Sequence, residues 1–249
     1  MIINTKDYNL KIIRDNLYIM IRFNLPRFAK HAYVKSSLSQ CNIPEIGLVF
    51  KQSYDNLPFD PYLPNKTRQR RYANYHITNE GNDNFNIETT TKNIFIQNVM
   101  DDRKEPREFP LIELRTDPFL LNLLRLSSQM VHSNQPFHKI SVDVHQVRQI
   151  CYPDIGSHNS MEGIHQDGSD YIISACVLNR HNISGGYSYV YDMNNKLLKS
   201  HLLREGEFIF QDDKILYHYV SPIQYLPCDT CIPEGYRDII GLDIEILQL

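Results

Sequence analysis

The chain has 249 residues, of which 42% are hydrophobic and 22% charged, with a formal net charge of -3 at pH 7. This balance is typical of a globular protein and excludes disorder as a description of the whole chain. Because the sequence has no surplus of basic residues to attract a phosphate backbone, it argues against a nucleic-acid substrate.

The sequence also argues against membrane insertion and secretion. No apolar run is long enough to span a bilayer, and the first residues mix both charge signs instead of forming a signal peptide. The five cysteines are odd in number and lack framework spacing, which favours a reducing cytoplasm. The one CxxC, Cys228 to Cys231, lacks the second half of a zinc site and is interpreted as a surface loop with incidental thiols. We expect a cytoplasmic protein.

In chain order, the first part of the sequence has weak signals. Residues 10–23 predict a strand or a short helix, and prolines interrupt the stretch from about 42 to 66. We expect one domain over residues 1–249, in which residues 1–66 flank a core of residues 67–249.

Asp117 and Pro118 begin the clearest helix, because Asp is a good N-cap and Pro suits the first helical position. Apolar residues then recur at helical spacing from Phe119 to Leu124, which predicts a face that packs on the core. Pro136 ends the segment.

From about residue 138 the hydrophobic period changes to two, which predicts strands. The first of them, HKISVDVHQVRQI (138–150), places Ile140, Val142, Val144, Gln146 and Arg148 on one face. No long helical pattern interrupts the later runs, so we expect a β-sandwich, barrel or jelly roll rather than a parallel α/β sheet. The later strand-like runs are YIISACVLN, YSYVYD, EFIFQ, ILYHYVSPI and RDIIGLDIEIL.

Three residues of this β-rich part form a candidate metal site. His165 and Asp167 are two positions apart, so in extended chain they project to the same side. His218 lies in a later strand-like run that a neighbouring or facing sheet could bring to the same point. Two histidines and one carboxylate on one face, with other positions open, are the ligand set of non-haem Fe(II) oxygenases. The alternative is a β-sandwich whose polar residues pair with one another.

Arg237 begins the last strand and shares a face with Ile239 and Gly241. A guanidinium on an apolar strand face needs an anionic partner, because an unpaired buried charge is costly. Its planar fork matches a carboxylate, and the distal carboxylate of 2-oxoglutarate is the natural candidate.

With these residues the chain resembles the Fe(II)/2-oxoglutarate-dependent dioxygenases, and within them the bacterial isoleucine 4-dioxygenase group, which hydroxylates free amino acids. The resemblance covers about residues 67–244. It is carried by RQRRYANY (68–75), HQVR (145–148), GIHQDG (163–168), LNRHNISGG (178–186), FQDDKILYHYVSP (210–222) and GYRDIIGLD (235–243).

The resemblance implies a mainly β fold with flanking helices, a double-stranded β-helix of the jelly-roll or cupin type that starts at about residue 138. It also implies Fe(II) bound by His165, Asp167 and His218, and 2-oxoglutarate bound by Arg237. The implied reaction consumes O2, hydroxylates a small molecule and releases succinate and CO2.

Six further residues are candidates for binding the substrate. The first four could grip a carboxylate and cover the pocket, or form a solvated basic loop. The last two continue an inward strand face and could bind substrate or cosubstrate, or form a structural ion pair with Asp143 or a loop carboxylate. The six residues are Arg68, Arg70, Tyr72, Tyr75, Gln146 and Arg148.

Two other functions stay open at this stage. One is a 2-oxoglutarate oxygenase acting on a protein or peptide, which the unmatched N-terminal residues could serve. Repair enzymes of the AlkB type resemble a pattern with a second arginine where this sequence has Asp243, which argues against nucleic acid. The other is a cupin-like binding module without turnover, which has no need of the combined His, Asp, His and Arg set.

Overall fold

The computed structural model describes residues 28, 31–81, 84–97, 105–227 and 233–249. The segment predicted for residues 10–23 and the pair Cys228 and Cys231 lie outside these residues. Among the described parts, no helix has the length and apolar character required to cross a bilayer.

An antiparallel sheet of seven strands forms the main layer of the fold, and its strand order is β1-β11-β7-β14-β6-β2-β3. A three-stranded sheet of order β10-β9-β12 packs over part of it, and two two-stranded ribbons join β8 to β13 and β4 to β5. The strands are β1 (Tyr33–Ser37), β2 (Arg68–Asn79), β3 (Phe85–Thr89), β4 (Ile94–Phe95), β5 (Arg107–Glu108), β6 (Lys139–Cys151), β7 (Tyr171–His181), β8 (Ile183–Gly185), β9 (Tyr187–Tyr191), β10 (Leu197–Leu202), β11 (Glu207–Asp212), β12 (Tyr217–Val220), β13 (Ile223–Tyr225) and β14 (Gly235–Gln248).

This mainly β architecture confirms the predicted fold class, a jelly roll with flanking helices. The strands predicted from the period-two runs are present as β6, β7, β9, β11, β12 and β14. The sheet extends further toward the N-terminus than predicted, because β1 pairs with β11 at one edge and β2 pairs with β6 near the other. Residues assigned by sequence to a flanking segment therefore complete the main sheet.

Side-chain alternation gives the main sheet two buried faces. On β14, Ile240, Leu242 and Ile244 belong to the large hydrophobic core, whereas Ile239 packs in a second core with Val190 of the three-stranded sheet. The face of the sheet that carries the large core is called the helix face. The face that carries the second core is called the inner face. Because residues two apart share a face, Arg237, Ile239, Gly241 and Asp243 all lie on the inner face.

The helix face is covered by α2 (Pro118–Asn134), together with α1 (Leu48–Gln52) and a short 3-10 turn, Ser53–Asn56. Helix α2 begins as predicted, since the Asp117 side chain accepts a hydrogen bond of 2.9 Å from the backbone N–H of Phe119. Its apolar stripe, including Leu120 and Leu123, is fully buried in the large core. Because exposing that apolar stripe to water would be unfavourable, the helix stays packed on the sheet. The opposite, inner face of the sheet is left for the functional site.

Candidate metal centre and cosubstrate pocket

The two histidines of the predicted metal site are joined through their backbones. His218 lies on β12, and its N–H donates to the carbonyl of His165 at 2.9 Å, while the N–H of His165 donates back to His218 at 3.0 Å. This isolated antiparallel bridge places both imidazoles on the same side, with ring centroids 4.3 Å apart. Both side chains are buried, at 8% and 6% exposure.

Asp167 completes the cluster, and one ligand atom of each of the three residues lies within 4.8 Å of the others. Its two carboxylate oxygens are 3.6 Å from Nε2 of His165 and 3.3 Å from Nε2 of His218. Nδ1 of His165 donates to the Gly163 carbonyl at 2.8 Å, which leaves Nε2 as the nitrogen directed at the cluster. Two imidazole nitrogens and a carboxylate oxygen therefore converge as a ligand set that fits Fe(II).

The carboxylate of Asp167 is held in its charged form. Burial alone would raise its pKa, but His218 and His165 hold the pKa well below its usual range. Gln97 orients the group by donating from Nε2 to Oδ1 at 2.9 Å, and Arg107 donates to Oε1 of Gln97 at 3.0 Å. Gln97 and Arg107 come from irregular chain and a two-residue strand, where no periodic signal marks them in the sequence.

A cavity of about 350 Å³ opens beside this cluster, between the inner face and the segment around Met161. The cavity lining carries charges of both signs. It includes arginines of β2 and β5, together with Glu162 and Asp243. The cavity is lined in part by Arg68, Arg70, Arg107, His145, Val147, Glu162, Val220 and Ile239.

Arg237 lies on the inner face, where its side chain is fully buried. Its Nη1 donates to Oε1 of Gln149 at 3.3 Å, whereas its Nε and Nη2 have no hydrogen-bond partner among the described residues. Burial and the neighbouring charge of Arg180 lower the pKa of Arg237 to about 9. A buried guanidinium with two unused donors fits an incoming carboxylate.

Comparison with known proteins decides the family of this chain. A family model described as 2OG-Fe dioxygenase matches residues 51–243. The chain belongs to the 2OG-Fe dioxygenase family. It is therefore an enzyme that uses Fe(II), 2-oxoglutarate and O2. No curated protein matches the sequence.

Solved structures share the fold of this dioxygenase at low sequence identity. A bsmA homologue from Methylobium petroleophilum PM1 is 19% identical with a TM-score of 0.76, covering 90% of this chain and 92% of its own. IDO from Bacillus thuringiensis is 18% identical with a TM-score of 0.71, covering 94% and 96%. The Fe(II)/α-ketoglutarate-dependent dioxygenase TqaL is 17% identical with a TM-score of 0.66, covering 96% and 90%.

Of the six candidate substrate residues, the structure brings two to the cavity of the dioxygenase. Arg68 lines it but is neutralised by Asp60, whose Oδ2 accepts from Nε of Arg68 at 2.8 Å. Arg70 lines it with 8% exposure, lies over the Phe109 ring and donates from Nη2 to Nδ1 of His145 at 2.5 Å. Its Nε has no hydrogen-bond partner in the described part of the chain.

The two candidate tyrosines are not on the cavity wall. Tyr72 is on the inner face, but its side chain is fully buried and its hydroxyl donates to Asp143. Tyr75, three positions later on β2, belongs to the core on the helix face and donates to the Arg115 carbonyl at 2.9 Å. Both hydroxyls are thus engaged within the folded chain, and neither side chain is among the residues that line the cavity.

Gln146 and Arg148 also lie on the helix face, away from the cavity. Gln146 donates to the Ser53 hydroxyl at 2.8 Å. Arg148 forms a two-pronged ion pair with Asp238, at 2.7 and 2.9 Å, and a further one with Asp55 at 3.0 Å. The ion-pair alternative accounts for Arg148, although its partners are Asp238 and Asp55 rather than Asp143. The residues of HQVR (145–148) that reach the cavity are His145 and Val147.

Proposed function

We propose that this dioxygenase oxidises a free amino acid, or a small metabolite with the same charged ends. In this proposal His165, Asp167 and His218 hold Fe(II), and Arg237 binds the distal carboxylate of 2-oxoglutarate. The bound metal supplies the oxygen chemistry, in which the cosubstrate leaves as succinate and CO2. The protein's own residues orient the two organic molecules and keep the reacting centre dry.

The proposal depends most on Arg70. This arginine lines the cavity, is almost fully buried, and retains a donor without a partner among the described residues. Burial and the nearby charges of Arg68 and Arg107 lower its pKa to about 9, and the nearby carboxylates of Asp60 and Asp243 offset this only in part. A substrate carboxylate would supply the missing anion and accept from the guanidinium.

Glu162 is the candidate partner for the substrate ammonium. It lines the cavity, and its Oε1 lies 3.0 Å from Nε2 of His165 on the metal side of the pocket. The hydroxyls of Tyr72 and Tyr75, which the sequence suggested as substrate contacts, are engaged elsewhere in the chain. A cavity lined by both a carboxylate, Glu162, and an arginine, Arg70, suits a molecule with an ammonium and a carboxylate.

Part of the cavity lining is apolar. Val147, Val220 and Ile239 contribute aliphatic surface, and Gly241 adds no side chain to the wall. Such a surface favours an uncharged aliphatic side chain, because a charged one would lose its hydration without a partner. The volume of about 350 Å³ lies at the small end of ligand pockets and suits a small molecule.

The test is succinate formation with each standard free amino acid, measured beside the matching N-acetyl amides. We expect turnover with one or a few free acids and none with the blocked compounds, since blocking removes both charged ends. His165→Ala should give no substrate-dependent succinate, whereas His138→Ala, a change at an exposed histidine, should behave as wild type. Equal turnover of blocked compounds or a peptide would instead favour a protein substrate.

A further inference from the structure

A row of polar residues crosses the inner face at the Arg237 end of the sheet. In the strand register Gln149 is paired with Arg68 on one side and with Arg237 on the other, and Arg237 is paired in turn with Arg180. Paired residues of antiparallel strands project to the same face, so these side chains are neighbours across four strands. The row therefore brings a second arginine, Arg180, beside the proposed cosubstrate residue.

No acidic side chain in the described part of the chain pairs with Arg180 or Arg237. Arg180 donates from Nη2 to the Gly185 carbonyl at 2.7 Å, and its buried Nη1 has no hydrogen-bond partner among the described residues. Arg237 likewise donates to a neutral acceptor, from Nη1 to the side-chain oxygen of Gln149. Burial lowers the pKa of both arginines, and the charge of Arg180 contributes to the lowering at Arg237. Two adjacent guanidinium groups with buried nitrogens that have no partner among the described residues are costly unless a ligand supplies an anion.

Gly186 lies against the side chains of both arginines. A Cβ at this position would lie 3.1 Å from Nη1 of Arg180 and 3.5 Å from Cδ of Arg237. The residue also has a φ of +70°, which favours glycine over residues with a side chain. The position next to both arginines is thus kept clear of side-chain atoms.

We propose that Arg180 is a second cation for the distal carboxylate of 2-oxoglutarate, which would bind between Arg180 and Arg237 against Gly186. The inference rests on the proposed role of Arg237. A carboxylate has enough lone pairs to accept from both guanidinium groups, and its charge offsets part of the repulsion between them. Arg180 then acts as a specificity residue that favours a 2-oxo diacid over a 2-oxo monoacid.

The experiment compares the binding of two cosubstrates to the Mn²⁺-loaded protein by anaerobic titration calorimetry, without an amino-acid substrate. One ligand is 2-oxoglutarate, and the other is 2-oxopentanoate, in which a methyl group replaces the distal carboxylate. The proteins are wild type, Arg180→Gln, Arg180→Lys and Arg237→Gln, with the exposed Arg125→Gln as the matched control. Circular dichroism checks that each variant is folded.

Loss of a charged hydrogen-bond partner should weaken 2-oxoglutarate binding by Arg180→Gln about tenfold. Binding of 2-oxopentanoate should change little, so the preference for the diacid shrinks. Arg180→Lys, which keeps the charge, should retain most of that preference, and the neutral Arg180→Met takes the place of the Gln variant if the latter does not fold. Equal losses for both ligands would mean that Arg180 only supports the Gly185 turn, and an undiminished preference for 2-oxoglutarate in the folded neutral variant overturns the proposal.

The control outcomes separate this inference from the proposed function. If Arg237→Gln leaves the preference for 2-oxoglutarate unchanged, the assignment of Arg237 fails, and the role of Arg180 fails with it. Because no amino acid is present in the titration, an error in the substrate class leaves these results unaffected.

Discussion

Arg70 fixes the tautomer of His145. A guanidinium can only donate, so Nδ1 of His145 must accept the hydrogen bond from Arg70, and the imidazole proton lies on Nε2. That nitrogen donates to Oδ2 of Asp243 at 2.9 Å. Burial, followed by the charge of Arg70, holds the pKa of His145 well below its usual range, which keeps the ring neutral and able to accept. The orientation of Arg70 in the cavity therefore depends on His145.

The first prediction tests this positioning role. His145→Ala should raise the KM for the amino-acid substrate about tenfold, because a hydrogen bond to a charged group typically contributes about 1.5–3 kcal/mol. The KM for 2-oxoglutarate should stay within about twofold of wild type, since Arg237 lies elsewhere on the inner face. Steady-state succinate assays varying each substrate in turn give both values. A parallel rise of both KM values would indicate a general distortion of the pocket.

The second prediction concerns the metal. His218→Ala should reduce bound Fe(II) to a small fraction of one equivalent, because two remaining ligands do not complete the facial set. Metal content after anaerobic loading and desalting is the measurement. His138→Ala provides the control, since its side chain is exposed. Wild-type iron content in the His218 variant would remove that residue from the ligand set.

The third prediction concerns the cosubstrate. Arg237→Gln should raise the 2-oxoglutarate concentration needed for half-maximal turnover at least tenfold, because losing one partner of a buried charged pair costs about 2–5 kcal/mol. The control Arg125→Gln removes an exposed arginine of α2 and should leave this concentration unchanged. An unaltered requirement in the Arg237 variant would exclude the proposed contact.

The fourth prediction separates stability from function at Arg148. Arg148→Ala leaves the carboxylate of Asp238 buried without its ion-pair partner and should lower the free energy of unfolding by about 3–5 kcal/mol. Urea denaturation measures this loss. Both KM values of the folded fraction should remain close to wild type, because Arg148 lies on the helix face. A specific rise in substrate KM with unchanged stability would restore its predicted binding role.

The metal cluster could be predicted from sequence because its signal is local. His165 and Asp167 need only their two-residue spacing, and His218 needs only a strand that faces them. Arg237 was recognisable because a charge on an apolar strand face has few explanations. These features depend on residue type and on the odd or even position of a residue along its strand. Both can be read directly from the sequence.

The substrate wall was harder to predict because β6 is buried on both faces. The sequence correctly groups Gln146 and Arg148 with Val142 and Val144, but parity alone does not say which face meets the cavity and which meets α2. The structure assigns His145 and Val147 to the cavity. The same ambiguity applies to β2, where Arg70 lies on the cavity face and Tyr75 on the helix face. Gln97 reaches the site through tertiary contacts, which the sequence does not reveal.

His165 and His218 come from distant parts of the chain and are joined by a backbone bridge. A metal ion bound by both would cross-link these two segments in addition to its role in catalysis. If both imidazoles bind one metal, the ion closes a long loop that otherwise depends on two hydrogen bonds at this point. Metal loss would then release the segment around Met161 and the three-stranded sheet from each other. Chelation should accordingly lower the melting temperature and speed proteolysis near residue 161, so that inactive, metal-free protein is also the form most readily degraded.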